Sequence, residues 1–177
     1  MRNKIKVSNY LMKKVFFLIS TTITFVCMSL ANAETPNVWS YEYGQGGNLF
    51  RIYDKKNQSL EISCGELAGG FVELFFDAYN NEVNWDSPKD EYDKYLKKSK
   101  ILNKRISLKI NGKEQSIPRN KQSKNYNAAW KSLTSNIKKA NKIEVIENGK
   151  TIASYFPTFS SMKNIKEVEI CIPENFS

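Results

Sequence analysis

The sequence predicts a mainly β, α+β domain: an antiparallel β-sandwich or partly open barrel with one amphipathic helix packed on it and a short second helix. Three observations carry that expectation. Short runs of alternating apolar and polar residues recur along most of the chain, separated by Gly- and Asn-rich turns. Asn111-Gly112 and Asn148-Gly149 each sit between two such runs, where a two-residue hairpin turn needs positive φ at both positions. One stretch changes period clearly, from two to 3.6, beginning at Tyr126.

The elements follow in order. Trp39, Tyr41 and Tyr43 alternate in a first strand, and Gly44-Gln45-Gly46-Gly47-Asn48 turns the chain into a second strand at Leu49 to Tyr53. Leu60, Ile62 and Cys64 mark a third strand. After Gly69-Gly70 comes a fourth, Phe71 to Asp77, with Val72, Leu74 and Phe76 on one face and Phe71 and Phe75 on the other, so that both faces are expected to be covered. Ser87-Pro88-Lys89-Asp90 reads as a helix start, with Ser as N-cap and Pro at the first helical position, for a short helix to about Lys98. Ile106, Leu108 and Ile110 lead into the first Asn-Gly hairpin, which Pro118 ends. Tyr126, Trp130, Leu133, Ile137 and Ala140 form the stripe of the amphipathic helix. In the second hairpin Glu147 is expected opposite Lys150 and Val145 opposite Ile152, placing Ile143, Val145, Ile152 and Phe156 on one face. Pro157 to Asn164 reads as loop, and Val168, Ile170 and Ile172 as a last strand. Cys171 then has the wrong parity for the core, which implies either a bulge or a bridge on the outer face.

Residues 1–33 read as a cleaved secretory signal peptide: Lys13 and Lys14, an apolar run from Val15 to Leu30, and Ala31-Asn32-Ala33 as the cleavage signal. Cys27 is a poor lipidation site because Val26, just before it, is not small. Cleavage near Ala33 places the protein in the periplasm or outside the cell, with no membrane span after processing. It leaves residues 34–177 as one β-rich domain with 22 bases and 18 acids, a net charge of +4 in place of +9. The domain keeps two cysteines, and in an oxidising compartment Cys64 and Cys171 are expected to form a disulfide.

The chain has no histidine. That removes Ser-His and Cys-His nucleophiles, most zinc hydrolase sites and the commonest general base. A hydrolase would have to use carboxylates or a Ser-Lys pair such as Ser135/Lys138 or Ser160/Lys163, and both spacings are expected by chance in a chain this rich in Ser and Lys. Gly44-x-Gly46-Gly47 joins two strands and opens no helix, so it is no phosphate loop. Asp86, Asp90, Glu91 and Asp93 lack the spacing of a calcium loop and suit a helix N-terminus instead. No catalytic residue, metal or cofactor is assigned.

Charge is segregated along the chain. Residues 34–93 hold 12 acids and 4 bases, residues 94–139 hold 14 bases and one acid (Glu114), and residues 140–177 hold 5 acids and 4 bases. The middle segment predicts a basic face for an acidic macromolecular partner, a protein or an anionic envelope component; nucleic acid is a less natural partner outside the cytoplasm. Lys97, Lys98, Lys100, Lys104 and Arg105 are its densest part, expected on an exposed loop, with Tyr95 and Trp85 supplying flat apolar area. The expected function is that of a non-enzymatic exported binding protein, an inhibitor or immunity factor among the forms it could take. The alternatives are a small hydrolase and an accessory subunit of an envelope or secretion assembly.

Overall fold

The computed structural model describes residues 35–44, 46–66, 71–79 and 88–173. Residues 1–34, Gly69-Gly70, Trp85, Asp86 and Ser87 lie outside the described residues. Among the described residues eight strands form two four-stranded antiparallel sheets that stay open and do not close into a barrel. The first sheet is a meander, β1 (Ser40–Gly44), β2 (Gly47–Tyr53), β3 (Ser59–Gly65) and β4 (Phe71–Asp77), in the order β1-β2-β3-β4. Helix α1 (Lys89–Arg105) runs without a linker into β5 (Ile106–Ile110), followed by β6 (Lys113–Ser116), helix α2 (Tyr126–Lys138), β7 (Ile143–Glu147) and β8 (Lys150–Tyr155). The second sheet has the order β6-β5-β7-β8.

Both Asn-Gly turns adopt the conformation that their composition requires: φ is 48° and 84° at Asn111-Gly112, and 50° and 75° at Asn148-Gly149. They fix the registers Ile110↔Lys113 and Glu147↔Lys150. The second hairpin then departs from simple alternation. Ile146 pairs with Thr151 and Val145 with Ala153, so Ile152 is an extra residue in β8. This bulge reverses the parity beyond it. Ala153 and Tyr155 turn inward beside Ile143 and Val145, Ile152 is half-buried, and Phe156 is exposed, in place of the face expected from an unbroken ladder.

The C-terminal segment differs more. Residues Phe159–Ile165 and Val168–Ile170 are 3-10 helical, and no last strand forms there. A 3-10 helix repeats every three residues. Ile165, Val168 and Cys171 therefore share one face, and all three are fully buried. Cys171 thus reaches the core without either a bulge or an outward bridge, and its sulfur is bonded to that of Cys64 on β3. Three hydrogen bonds fasten the segments after β8 to the start of the first sheet. The Phe156 N–H donates to Asn37 Oδ1 (2.8 Å), the Thr158 N–H to the Asn37 carbonyl (2.9 Å), and Asn164 Nδ2 to the Trp39 carbonyl (2.6 Å).

The inward residues of both sheets, the α2 stripe and the 3-10 face join in one buried cluster. Tyr126, Trp130, Leu133, Ile137 and Ala140 are all buried, as the 3.6 period requires, and α2 packs on the 168–170 turn, where Lys138 Nζ meets Glu169 Oε2 at 2.6 Å. Leu133 is fully buried, so Leu133→Ala is expected to cost about 2–5 kcal/mol in urea denaturation. A change within ~0.5 kcal/mol would place the stripe at the surface.

Candidate functional site: a basic cleft beside the fourth strand

Helix α1 extends about two turns past Lys98, to Arg105, and the charged cluster expected on a loop lies on its C-terminal half. Pro88, at φ −53° and ψ 146°, is the extended boundary residue before the helix and not its first turn. The inner face explains the extra length. Ser99, Leu102 and Asn103 are buried, and two of the three are polar, so the stripe is hidden from a hydrophobicity count. Asn103 does most to dock the helix. Its Nδ2 donates to the Phe76 carbonyl at 2.8 Å and to the Ser99 carbonyl at 3.0 Å, while its Oδ1 accepts the Phe76 N–H at 2.8 Å. The carboxamide thus pairs with the edge of β4 as a strand residue would. About two turns earlier in the helix, the Tyr95 hydroxyl donates to Asp77 Oδ2 at 2.7 Å. Burial, with added effect from Asp77, pushes the Tyr95 phenol well above its usual range.

The C-terminus of α1 meets Arg119. Its guanidinium donates to the carbonyls of Asn103, Ile106 and Ile117, so a helix end whose last C=O groups lack intrahelical partners receives a cationic donor. Burial lowers the Arg119 pKa, but an arginine starts so high that the group stays charged.

The predicted binding residues divide into two groups. Lys97, Lys100 and Lys104 project from the outer face of α1 and are exposed, as is Lys94. Among the described residues none of these four is in a salt bridge. Lys98 lies 3.6 Å from the centroid of the Tyr79 ring, and Arg105 pairs with Glu147 on β7 at 2.7 Å. Tyr95 is half-buried with its hydroxyl held by Asp77, and Trp85 lies outside the described residues.

A cleft of about 340 Å³ opens beside the basic face. One wall is β4 from Phe71 to Phe75; the others are Lys100, Asn103 and Lys104 of α1, the segment Ile117 to Lys121, and the first turns of α2. Tyr126 and Trp130 meet there edge-on, with ring centroids 6.4 Å apart. Among the described residues Lys100, Lys104, Arg119 and Lys121 face one acid in the lining, Glu73. Several of these residues carried no sequence signal. Arg119-Asn120-Lys121 reads as an ordinary polar loop, and Phe71 and Phe75 suggested a second covered face where they line an open cleft. Of the carboxylates Glu66, Glu73 and Asp77, Asp77 accepts from the Tyr95 hydroxyl and the Tyr79 N–H, while Glu73 and Glu66 are exposed. Lys138 of the Ser135/Lys138 spacing is committed to Glu169.

Two partly exposed ion pairs give a modest pH dependence. The hydrogen bond from Lys138 is the largest influence holding Glu169 below the usual carboxylate range, and that from Lys142 (2.9 Å) does the same for Glu144. A depressed carboxylate contributes stability above its unfolded pKa, near 4.3, and loses it as pH falls through the folded value. The Tm is therefore expected to fall below about pH 4.3, less steeply in Glu169→Gln, with a difference in stability of no more than ~1 kcal/mol because solvent reaches both pairs.

Fold and site together define a mainly β, α+β domain with a single disulfide and a basic cleft at the edge of its first sheet. The chain belongs to the YfjT family, whose model matches residues 37–168. No curated protein and no solved structure matches it.

Proposed function

We propose that this is an exported, non-enzymatic binding protein that meets an acidic macromolecular partner through the outer face of α1, acting as an inhibitor or immunity factor. The observation that carries the reading is the row of lysines at 94, 97, 100 and 104, exposed on one helix and without acidic neighbours in salt-bridge range among the described residues. Surface charge of one sign speeds encounter with a partner of the other sign and selects against like-charged ones. Lysine is depleted at tight dry interfaces, so the helix steers while the aromatic lining of the cleft supplies contact area. Export rests on the leader at residues 1–33, and the bridge suits an oxidising compartment.

The test is retention on immobilised poly-L-glutamate across a salt series. The variant K97E/K100E/K104E is compared with K55E/K113E/K166E, which changes net charge equally at exposed lysines elsewhere. The helix variant is expected to elute at clearly lower salt than the control variant. Equal loss in both would reduce the effect to net charge and refute a dedicated face.

A further inference from the structure

We propose that the cleft takes an extended acidic peptide segment that adds to the first sheet as a fifth strand beside β4; this rests on the basic-face reading and names the partner's form. Among the described residues β4 is the last strand of its sheet, and one side of its backbone has no neighbouring strand. Such an edge is a template for another strand. Which groups it offers follows from register. The N–H and C=O of Phe76 both point outward, since both are held by Asn103. Leu60↔Phe76 is therefore a pair that does not exchange hydrogen bonds across β3 and β4, and pair types alternate along an antiparallel ladder. The pairs Ile62↔Leu74 and Cys64↔Val72 are then of the same kind. Val72 and Leu74 direct their N–H and C=O away from β3, toward the cleft they line.

Among the described residues no donor or acceptor meets those four groups. Asn103 shows that an amide can satisfy this edge, and it ends the open stretch at Phe76. Two outward residues offer four hydrogen bonds, enough to seat a segment of about five residues at ~3.4 Å per residue. Main-chain pairing would supply affinity without demanding a particular sequence, and side-chain contacts would supply selectivity. Here the side-chain contacts are Phe71, Phe75 and Tyr126 on one hand and Lys100, Lys104, Arg119 and Lys121 on the other, which favours carboxylates interleaved with β-branched residues.

The experiment uses the processed chain and a labelled, end-blocked octapeptide alternating Glu and Val. Two further versions are N-methylated, one at every Glu and one at every Val, which deletes backbone donors of one parity without changing charge. The parent is expected to bind at low salt, and only one of the methylated forms to lose affinity, by about tenfold or more because two hydrogen bonds are removed. The amides of Val72 and Leu74 are expected to become protected from hydrogen exchange on binding, and K100E/K104E to weaken the parent peptide. If both methylated forms bind like the parent and Val72 and Leu74 stay unprotected, strand addition is overturned while the basic face stands. Strand addition is overturned in the same way if poly-L-glutamate binds and the parent peptide does not. Loss of both would remove the basic-face reading as well.

Discussion

Replacing Asn103 with alanine is expected to lower the unfolding free energy by roughly 2–6 kcal/mol, because the N–H and C=O of Phe76 are both left without partners in a buried setting at about 1–3 kcal/mol each. The residue is polar, lies in a helix among lysines, and on composition alone would be placed at the surface, where substitutions change stability by no more than ~0.5 kcal/mol. The two expectations differ enough for one urea titration to decide between them. Asn103→Asp sharpens the test: it keeps the acceptor for the Phe76 N–H, loses the donor to the Phe76 carbonyl, and brings a carboxylate into a buried site. It is expected to be at least as destabilising as alanine at neutral pH and to recover partly as pH falls and the carboxyl protonates. An alanine variant of wild-type stability would mean that water caps the β4 edge and that α1 is held by its apolar contacts alone.

The second large effect is expected at the disulfide. Cys64 and Cys171 are 107 residues apart in sequence, so the bridge constrains most of residues 34–177 in the unfolded state. In the chain-entropy model a loop of this length is worth about 4–5 kcal/mol, and removing a native bridge from a small exported domain typically costs roughly 2–5 kcal/mol. Both cysteines are fully buried, so Cys→Ser adds the burial of a hydroxyl and is expected to cost more than Cys→Ala. Beyond β8 the described chain forms only short 3-10 turns and no strand, so the bridge is the covalent tie between this segment and the first sheet. Reduction is expected to expose the core around Ile165 and Val168 first, seen as early loss of amide protection there. Uniform loss across both sheets would show that the segment is not the weak part.

Strands β2 to β5, β7 and helix α2 were legible in the sequence because each buries one face of a regular element, and the period of that face is written in its apolar residues. Three features were not, for physical reasons. The bulge at Ile152 adds one residue to β8 after a turn whose composition sets only the first pairs of the register. The C-terminal segment alternates Val168, Ile170 and Ile172 as a strand would, yet a repeat of three places Ile165, Val168 and Cys171 inward; the parity of Cys171 was the only sign of it. The second half of α1 docks through Asn103 and Ser99, whose polarity hides the buried face.

The candidate site was legible in charge and not in shape. The basic segment stands out on counting, and Lys97, Lys100 and Lys104 are exposed as expected, but Lys98 and Arg105 are drawn to Tyr79 and Glu147, and Tyr95 to Asp77. Arg119, Lys121, Tyr126 and Trp130 come from segments separated from α1 by a hairpin, and only the tertiary fold brings them to β4. No local pattern could have assembled that cleft.

The most direct test of the basic face is to find which surface touches the partner in the cell. A photo-reactive benzoylphenylalanine at Ile101, half-exposed amid the lysines of α1, is compared with one at Phe159, the most exposed large apolar side chain among the described residues, on the first 3-10 segment. A discrete adduct with an acidic protein is expected from position 101, abolished by K97E/K100E/K104E, and none from position 159. A discrete adduct from position 159 alone, unaffected by those reversals, would contradict a role for the basic face.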